Sequence, residues 1–223
     1  MVAILVALTF VAALVIDALV RRSQKVEPAK VYTSVAGWRV PSYPRGYFLT
    51  PGHTWVNLRP SGKVLLGMDE LVSRLIGKNS TVRILKKPGE TVHKGEVIAS
   101  FIQAGRTIHV PSPIEGMVAQ SNFELEDNTY ELTEKPYTKG WFYIIKPTNL
   151  SADLKDFAVA EQTESWWSKE LNRLREFVQI HLPQPALAGS TIQDGGFPLD
   201  GLAEHFDQKT IEELETNFLN YRK

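Results

Sequence analysis

From Met1 to Ile16 no position is charged, and the apolar run continues through Asp17 to Val20 before Arg21 and Arg22 end it. At 1.5 Å rise per residue, about 20 residues span a hydrocarbon core of roughly 30 Å. No basic n-region and no small-residue cleavage site is written here, so the pattern predicts an uncleaved transmembrane helix over residues 1–22 rather than a signal peptide. Asp17, Arg21 and Arg22 mark its membrane boundary, with Arg21 following Asp17 at i+4 in the favourable acid-before-base order. Residues 23–46 carry Pro28, Pro41 and Pro44 without a sustained period and are expected to form an extended tether.

From about Tyr47 to Pro147 the pattern becomes short β-rich runs: Lys63–Leu66, Thr81–Leu85, Val97–Ile102, Thr107–Val110, Gly116–Ala119 and Trp141–Ile145. Turn residues separate them at Pro60-Ser61-Gly62, Pro88-Gly89, Lys94-Gly95, Ala104-Gly105 and Pro113 through Gly116. Strands this short and evenly spaced predict a small barrel or sandwich. One helical insert is expected over Met68–Ile76, with Met68, Leu71, Val72 and Leu75 on one face.

Beyond Leu150 the period turns helical. Trp167, Leu171, Leu174 and Val178 share one face of a helix that stops before Pro183 and Pro185. A last helix opens at Asp207 or Thr210, where Thr210-x-x-Glu213 has capping-box spacing, and carries Ile211, Leu214, Phe218 and Tyr221. The expected organisation is an anchor (1–22), a tether (23–46), a β domain (47–157) and a helical tail (158–223). Trp166, Trp167, Phe177, Phe218 and Tyr221 offer aromatic surface for an outside contact as well as an internal stripe, and are read as partner-binding residues.

The 223 residues hold 25 basic and 25 acidic side chains, so no charge excess points to nucleic acid. The balance hides a gradient, with 15 basic against 6 acidic residues in 1–110 and 10 against 19 in 111–223. The absence of cysteine excludes disulfides, thiol nucleophiles and Fe–S clusters. His53, His93, His109, His181 and His205 never fall at metal-ligand spacing, and no metal site is expected. No nucleophile elbow, phosphate loop or dinucleotide fingerprint is present, so neither catalysis nor a small-molecule substrate is expected.

Six motifs in order resemble the H protein of the glycine cleavage system. They are His53-Thr54-Trp55-Val56, Leu66-Gly67-Met68-Asp69, Pro88-Gly89-Glu90-Thr91-Val92 with Lys94-Gly95-Glu96, Pro113-Ile114-Glu115-Gly116, Leu125 through Leu132, and Pro136-Tyr137-Thr138-Lys139-Gly140-Trp141 with Ile145-Lys146-Pro147. The resemblance covers roughly residues 47–157 and implies a mainly β, flattened barrel-sandwich hybrid of the lipoyl-carrier type. It also implies a lysine at a hairpin tip, amidated by lipoate, whose long arm carries a methylamine intermediate. Ungapped counting places that tip at Gly105, beside Arg106, and no lysine occurs from residue 95 to residue 134. Arginine is a poor acyl acceptor, because its guanidinium stays protonated. The expectation is a member of the family that has lost the lipoyl lysine and carries no cofactor.

Together these readings predict a non-catalytic, membrane-anchored accessory subunit of a larger integral membrane complex, of respiratory or photosynthetic electron transfer. Basic residues only after the span place the soluble domain on the cytoplasmic side of the inner membrane. Two alternatives stand beside this reading. One is a membrane-fusion-type transport adaptor, and the other a one-carbon lipoyl carrier if the lysine lies elsewhere.

Overall fold

The computed structural model describes residue 44 and residues 46–157, 163–182 and 199–220. Nine strands run in chain order as β1 (Tyr47–Leu49), β2 (Thr54–Leu58), β3 (Val64–Met68), β4 (Thr81–Ile84), β5 (Thr91–Val92), β6 (Val97–Gln103), β7 (Arg106–Pro111), β8 (Gly116–Ser121) and β9 (Trp141–Pro147). They form a six-stranded sheet, β1-β2-β3-β9-β8-β5, and a three-stranded sheet, β4-β6-β7. Every pairing is antiparallel. This is the mainly β sandwich expected from the strand spacing.

Alternation explains how the sheets face each other. In β4, Val82 and Ile84 are buried while Thr81 and Arg83 are exposed, and their partners Phe101 and Ala99 on β6 are buried with them. Glycine is required where strands cross most closely. A Cβ at Gly116 would run into the Lys146 carbonyl oxygen and the Pro147 backbone, and one at Gly67 into the Trp55 ring.

Helix α1 (Glu70–Ile76) starts two residues later than the apolar pattern suggests, because Met68 belongs to β3 and Asp69 caps the helix by accepting from the Val72 amide at 3.1 Å. Short helices α2 (Glu124–Asp127) and α3 (Tyr130–Glu134) occupy the acidic loop between β8 and β9, and α4 (Leu150–Asp153) follows β9. Helix α5 (Thr163–His181) buries the expected stripe of Trp167, Leu171, Leu174 and Val178. A 3-10 turn (Leu202–His205) then leads to α6 (Gln208–Leu214), capped by Asp207 through the Thr210 amide at 2.8 Å. The chain continues from α6 as a π turn over Glu215–Leu219.

Strands and tail helices share one buried cluster, in which Trp55, Phe101 and Phe142 lie with Trp167, Phe206, Ile211, Leu214 and Phe218. The helical tail therefore completes the core of the sandwich. The expected transmembrane span, with Asp17, Arg21 and Arg22, lies outside the described residues, as does Tyr221. Among the described residues no helix is long and apolar enough to cross a membrane.

Candidate functional site

Strands β6 and β7 form a hairpin in register from Ala99↔Val110 to Gln103↔Arg106, closed by Ala104 and Gly105. Both turn residues have positive φ, 48° and 78°, the geometry of a two-residue turn that matches strand twist. Gly105 lies in this turn, and a Cβ placed on it would meet nothing within 4 Å. The tip therefore offers a methyl group, backbone and open solvent, and no amine.

Arg106 does not project outward from the tip. Its Nη2 donates to the Glu204 carbonyl oxygen at 2.6 Å, which ties the hairpin to the 3-10 turn of the tail. On the other strand, Gln103 is buried and its side-chain amide donates to the Ile76 carbonyl at 2.8 Å, fixing the hairpin to the end of α1. Towards the far end of β7, the His109 amide donates to Glu215 Oε1 at 2.6 Å, and the His109 ring Nδ1 lies 2.9 Å from the same oxygen. The Gly201 amide completes the contact by donating to the Arg74 carbonyl at 2.8 Å.

A second polar centre lies between β2, α1 and α5. His53 is fully buried with φ 56°, in a turn where its amide donates to the Thr50 carbonyl at 3.0 Å. Its Nδ1 lies 2.7 Å from Asp69 Oδ2, and its Nε2 lies 3.5 Å from Glu170 Oε2. Burial alone would lower the imidazole pKa, but the flanking Asp69 and Glu170 carboxylates outweigh it and raise the pKa from 6.5 to about 9. Glu170 is held below the usual carboxylate range despite its burial, because it faces His53 and Arg173. His53 is therefore a cation at neutral pH, held between two anions and walled by Trp166 and Phe218 at ring-centroid distances of 5.4 and 6.0 Å.

Trp167, Phe177 and Phe218 are buried within the chain, and Trp166 is partly buried against His53. Sequence reasoning missed the buried ion cluster. His53 and Asp69 both stand inside the quoted motifs, but their pairing with Glu170 joins positions more than a hundred residues apart. It also missed the clasp of Glu204 and Glu215 on β7, for which the sequence carries no local signal. Among the described residues no group of His, Cys, Asp and Glu side chains could hold a metal ion.

Two antiparallel sheets with a β6–β7 hairpin in the smaller one make a small β-sandwich domain of the lipoyl-carrier fold, and the comparisons place it in a family. The profile of the glycine cleavage H-protein family matches residues 47–170, and this chain belongs to that family. The glycine cleavage system H protein 2 of Aquifex aeolicus is 31% identical over 133 residues, covering 60% of this chain and 78% of its own. The probable glycine cleavage system H protein of Pyrococcus abyssi is 32% identical over 117 residues, covering 52% and 86%. A solved H protein from Mycobacterium marinum aligns at TM-score 0.48 and 22% identity, over 58% of this chain and 99% of its own.

These findings correct three expectations. The accessory subunit of a respiratory or photosynthetic membrane complex gives way to membership of the glycine cleavage H-protein family, since the family match spans more than half of the chain and the relatives are named for glycine cleavage. An integral membrane complex as partner falls with it. The placement at the inner membrane is overturned on the same ground. The apolar residues 1–22 and the basic residues after them point to a membrane role, whereas the family signature lies in residues 47–170.

Proposed function

We propose that the chain is a non-enzymatic member of a glycine-cleavage-type one-carbon system that works by binding the system's enzymes with the H-protein fold, without a lipoyl arm at the hairpin tip. The observation that carries this reading is the intact β6–β7 hairpin with Ala104-Gly105-Arg106 at its turn. An amide to lipoate needs a primary amine at that place. Residues 95–134 supply none, and Arg106 is turned back onto the tail. Family membership supports the scaffold's recognition role, because the relatives' names attach this fold to the glycine cleavage system.

The test is competition. The purified chain, added to a reconstituted glycine cleavage reaction run on a lipoylated H protein, is expected to inhibit turnover and to support none alone. Turnover with this chain as the sole H protein would overturn the armless reading. No inhibition at a large excess would overturn recognition of the enzymes.

A further inference from the structure

Building on that recognition role, we propose that residues 199–220 are an autoinhibitory strap: they fill the groove between α1 and the β6–β7 hairpin, and an enzyme reaches the hairpin only when the strap leaves. The strap lies wholly beyond residue 170, where the family match ends, yet it rests on the hairpin that the family signature contains. It lies outside the matched segment and packs against the β6–β7 hairpin within it.

Its attachment has two parts. An apolar face of Leu202, Phe206, Ile211, Leu214 and Phe218 is buried in the common core. Polar clasps ring that face. They are Arg106 to the Glu204 carbonyl at the tip, His109 to Glu215 near the far end of β7, Arg74 to Asp200, and the Gly201 amide to the Arg74 carbonyl. Backbones meet at Gly77, where an added Cβ would lie 2.6 Å from the Gly201 Cα, so the strap is seated closely. The clasps are nevertheless at the rim. Side chains of the Arg74–Asp200 pair are 42% and 65% exposed, and those of the His109–Glu215 pair 49% and 26%, so water can replace both pairs when the strap lifts.

Two further features suit a segment that moves as a unit. In sequence the strap follows α5 after residues 183–198, which include Gly189, Gly195 and Gly196. Its last turn is π-helical over Glu215–Leu219, with Glu215 on His109, a widened geometry that is frequent at functional sites. β7 is an edge of its sheet, and the Glu215 carboxylate caps its His109 amide. With the strap lifted, that edge has donors and acceptors free for a partner.

The experiment uses the full chain and its lack of cysteine. Asn79 and Glu204 face each other across the strap contact, their side chains 3.5 Å apart. The double variant Asn79→Cys/Glu204→Cys, joined by a short bis-maleimide, fixes the strap; the same variant blocked with N-ethylmaleimide leaves it free. Capture on immobilised purified enzymes of a glycine cleavage system is expected to vanish in the cross-linked form and persist in the blocked form. Leu214→Asp, on the buried side of the strap, is expected to strengthen capture, by about a hundredfold if the strap is open in about 1% of native molecules.

Equal capture by the cross-linked and blocked forms overturns the strap while leaving enzyme recognition standing. No capture by any form, with a lipoylated H protein captured alongside, overturns enzyme recognition instead. Hydrogen exchange on the unmodified chain then decides the strap without a partner. Amides of residues 208–219 and of His109 are expected to exchange together by an opening less sensitive to denaturant than that of β6. Exchange of all three only by global unfolding would make residues 199–220 a permanent part of the core and overturn the proposal.

Discussion

Raising the pH removes the proton that His53 holds between Asp69 and Glu170, and the folded state loses the stabilisation that the proton brings. The folded pKa of about 9 lies above the ordinary 6.5, so the native chain binds this proton more tightly than the unfolded one. The contribution is therefore complete below pH 6.5, decreases as pH rises through the window, and is gone above 9. The interval between the two values corresponds to roughly 3 kcal/mol. With a urea m-value of about 3 kcal/mol/M for a chain of this size, the unfolding midpoint should fall by about 1 M between neutral and alkaline pH. Trp166 and Trp167, with ring centroids 5.4 and 6.4 Å from that of His53, report the transition by fluorescence.

Asp69→Asn isolates the cause. Asparagine still caps α1, so the helix start is preserved, but the nearer anion is lost. The variant is expected to be less stable at pH 7 by about 2 kcal/mol and to show less than half of the wild-type pH dependence. Lysine and tyrosine titrations at alkaline pH are common to both proteins and cancel in the difference. A wild-type midpoint that stays flat between pH 6.5 and 9, or an equal slope in Asp69→Asn, would refute the buried-cation reasoning.

Gly116→Ala drives a methyl group into the Lys146 carbonyl and should cost about 1–3 kcal/mol in urea unfolding, whereas the same change at Gly62, with nothing within 4 Å, costs only its left-handed backbone strain of about 1–2 kcal/mol. Gly105→Lys has open space but φ 78°, so it should fold with a loss of about 1–2 kcal/mol and, incubated with a lipoate ligase, gain a lipoyl adduct that the wild type does not. Trp166→Ala removes one wall of the His53 chamber and should lower the thermal midpoint measured by calorimetry.

The sandwich was legible because its signals are local. The two-residue turn at Ala104-Gly105, the alternation in β4 and the stripe of α5 each follow from spacing within one element. The short helices between β8 and β9 were not, since each buries a single leucine, Leu125 in α2 and Leu132 in α3, and leaves no periodic face. At the site, the β6–β7 turn could be read from the Ala104-Gly105 pair. The strap could not, because Glu204 and Glu215 meet Arg106 and His109 only after the chain folds back across about a hundred residues. Aromatic side chains of the tail were equally ambiguous in sequence. A periodic Trp167 or Phe218 has the same spacing whether its face meets a partner or, as here, the protein's own interior.

The central claim, an H-protein scaffold acting without a lipoyl arm, meets its most direct test in the intact mass of the chain purified from its native source, followed by peptide mapping of residues 95–134. The account predicts no lipoyl mass on any peptide of the β domain. A lipoyl adduct mapped to any residue of that domain would contradict it and return the protein to the carriers.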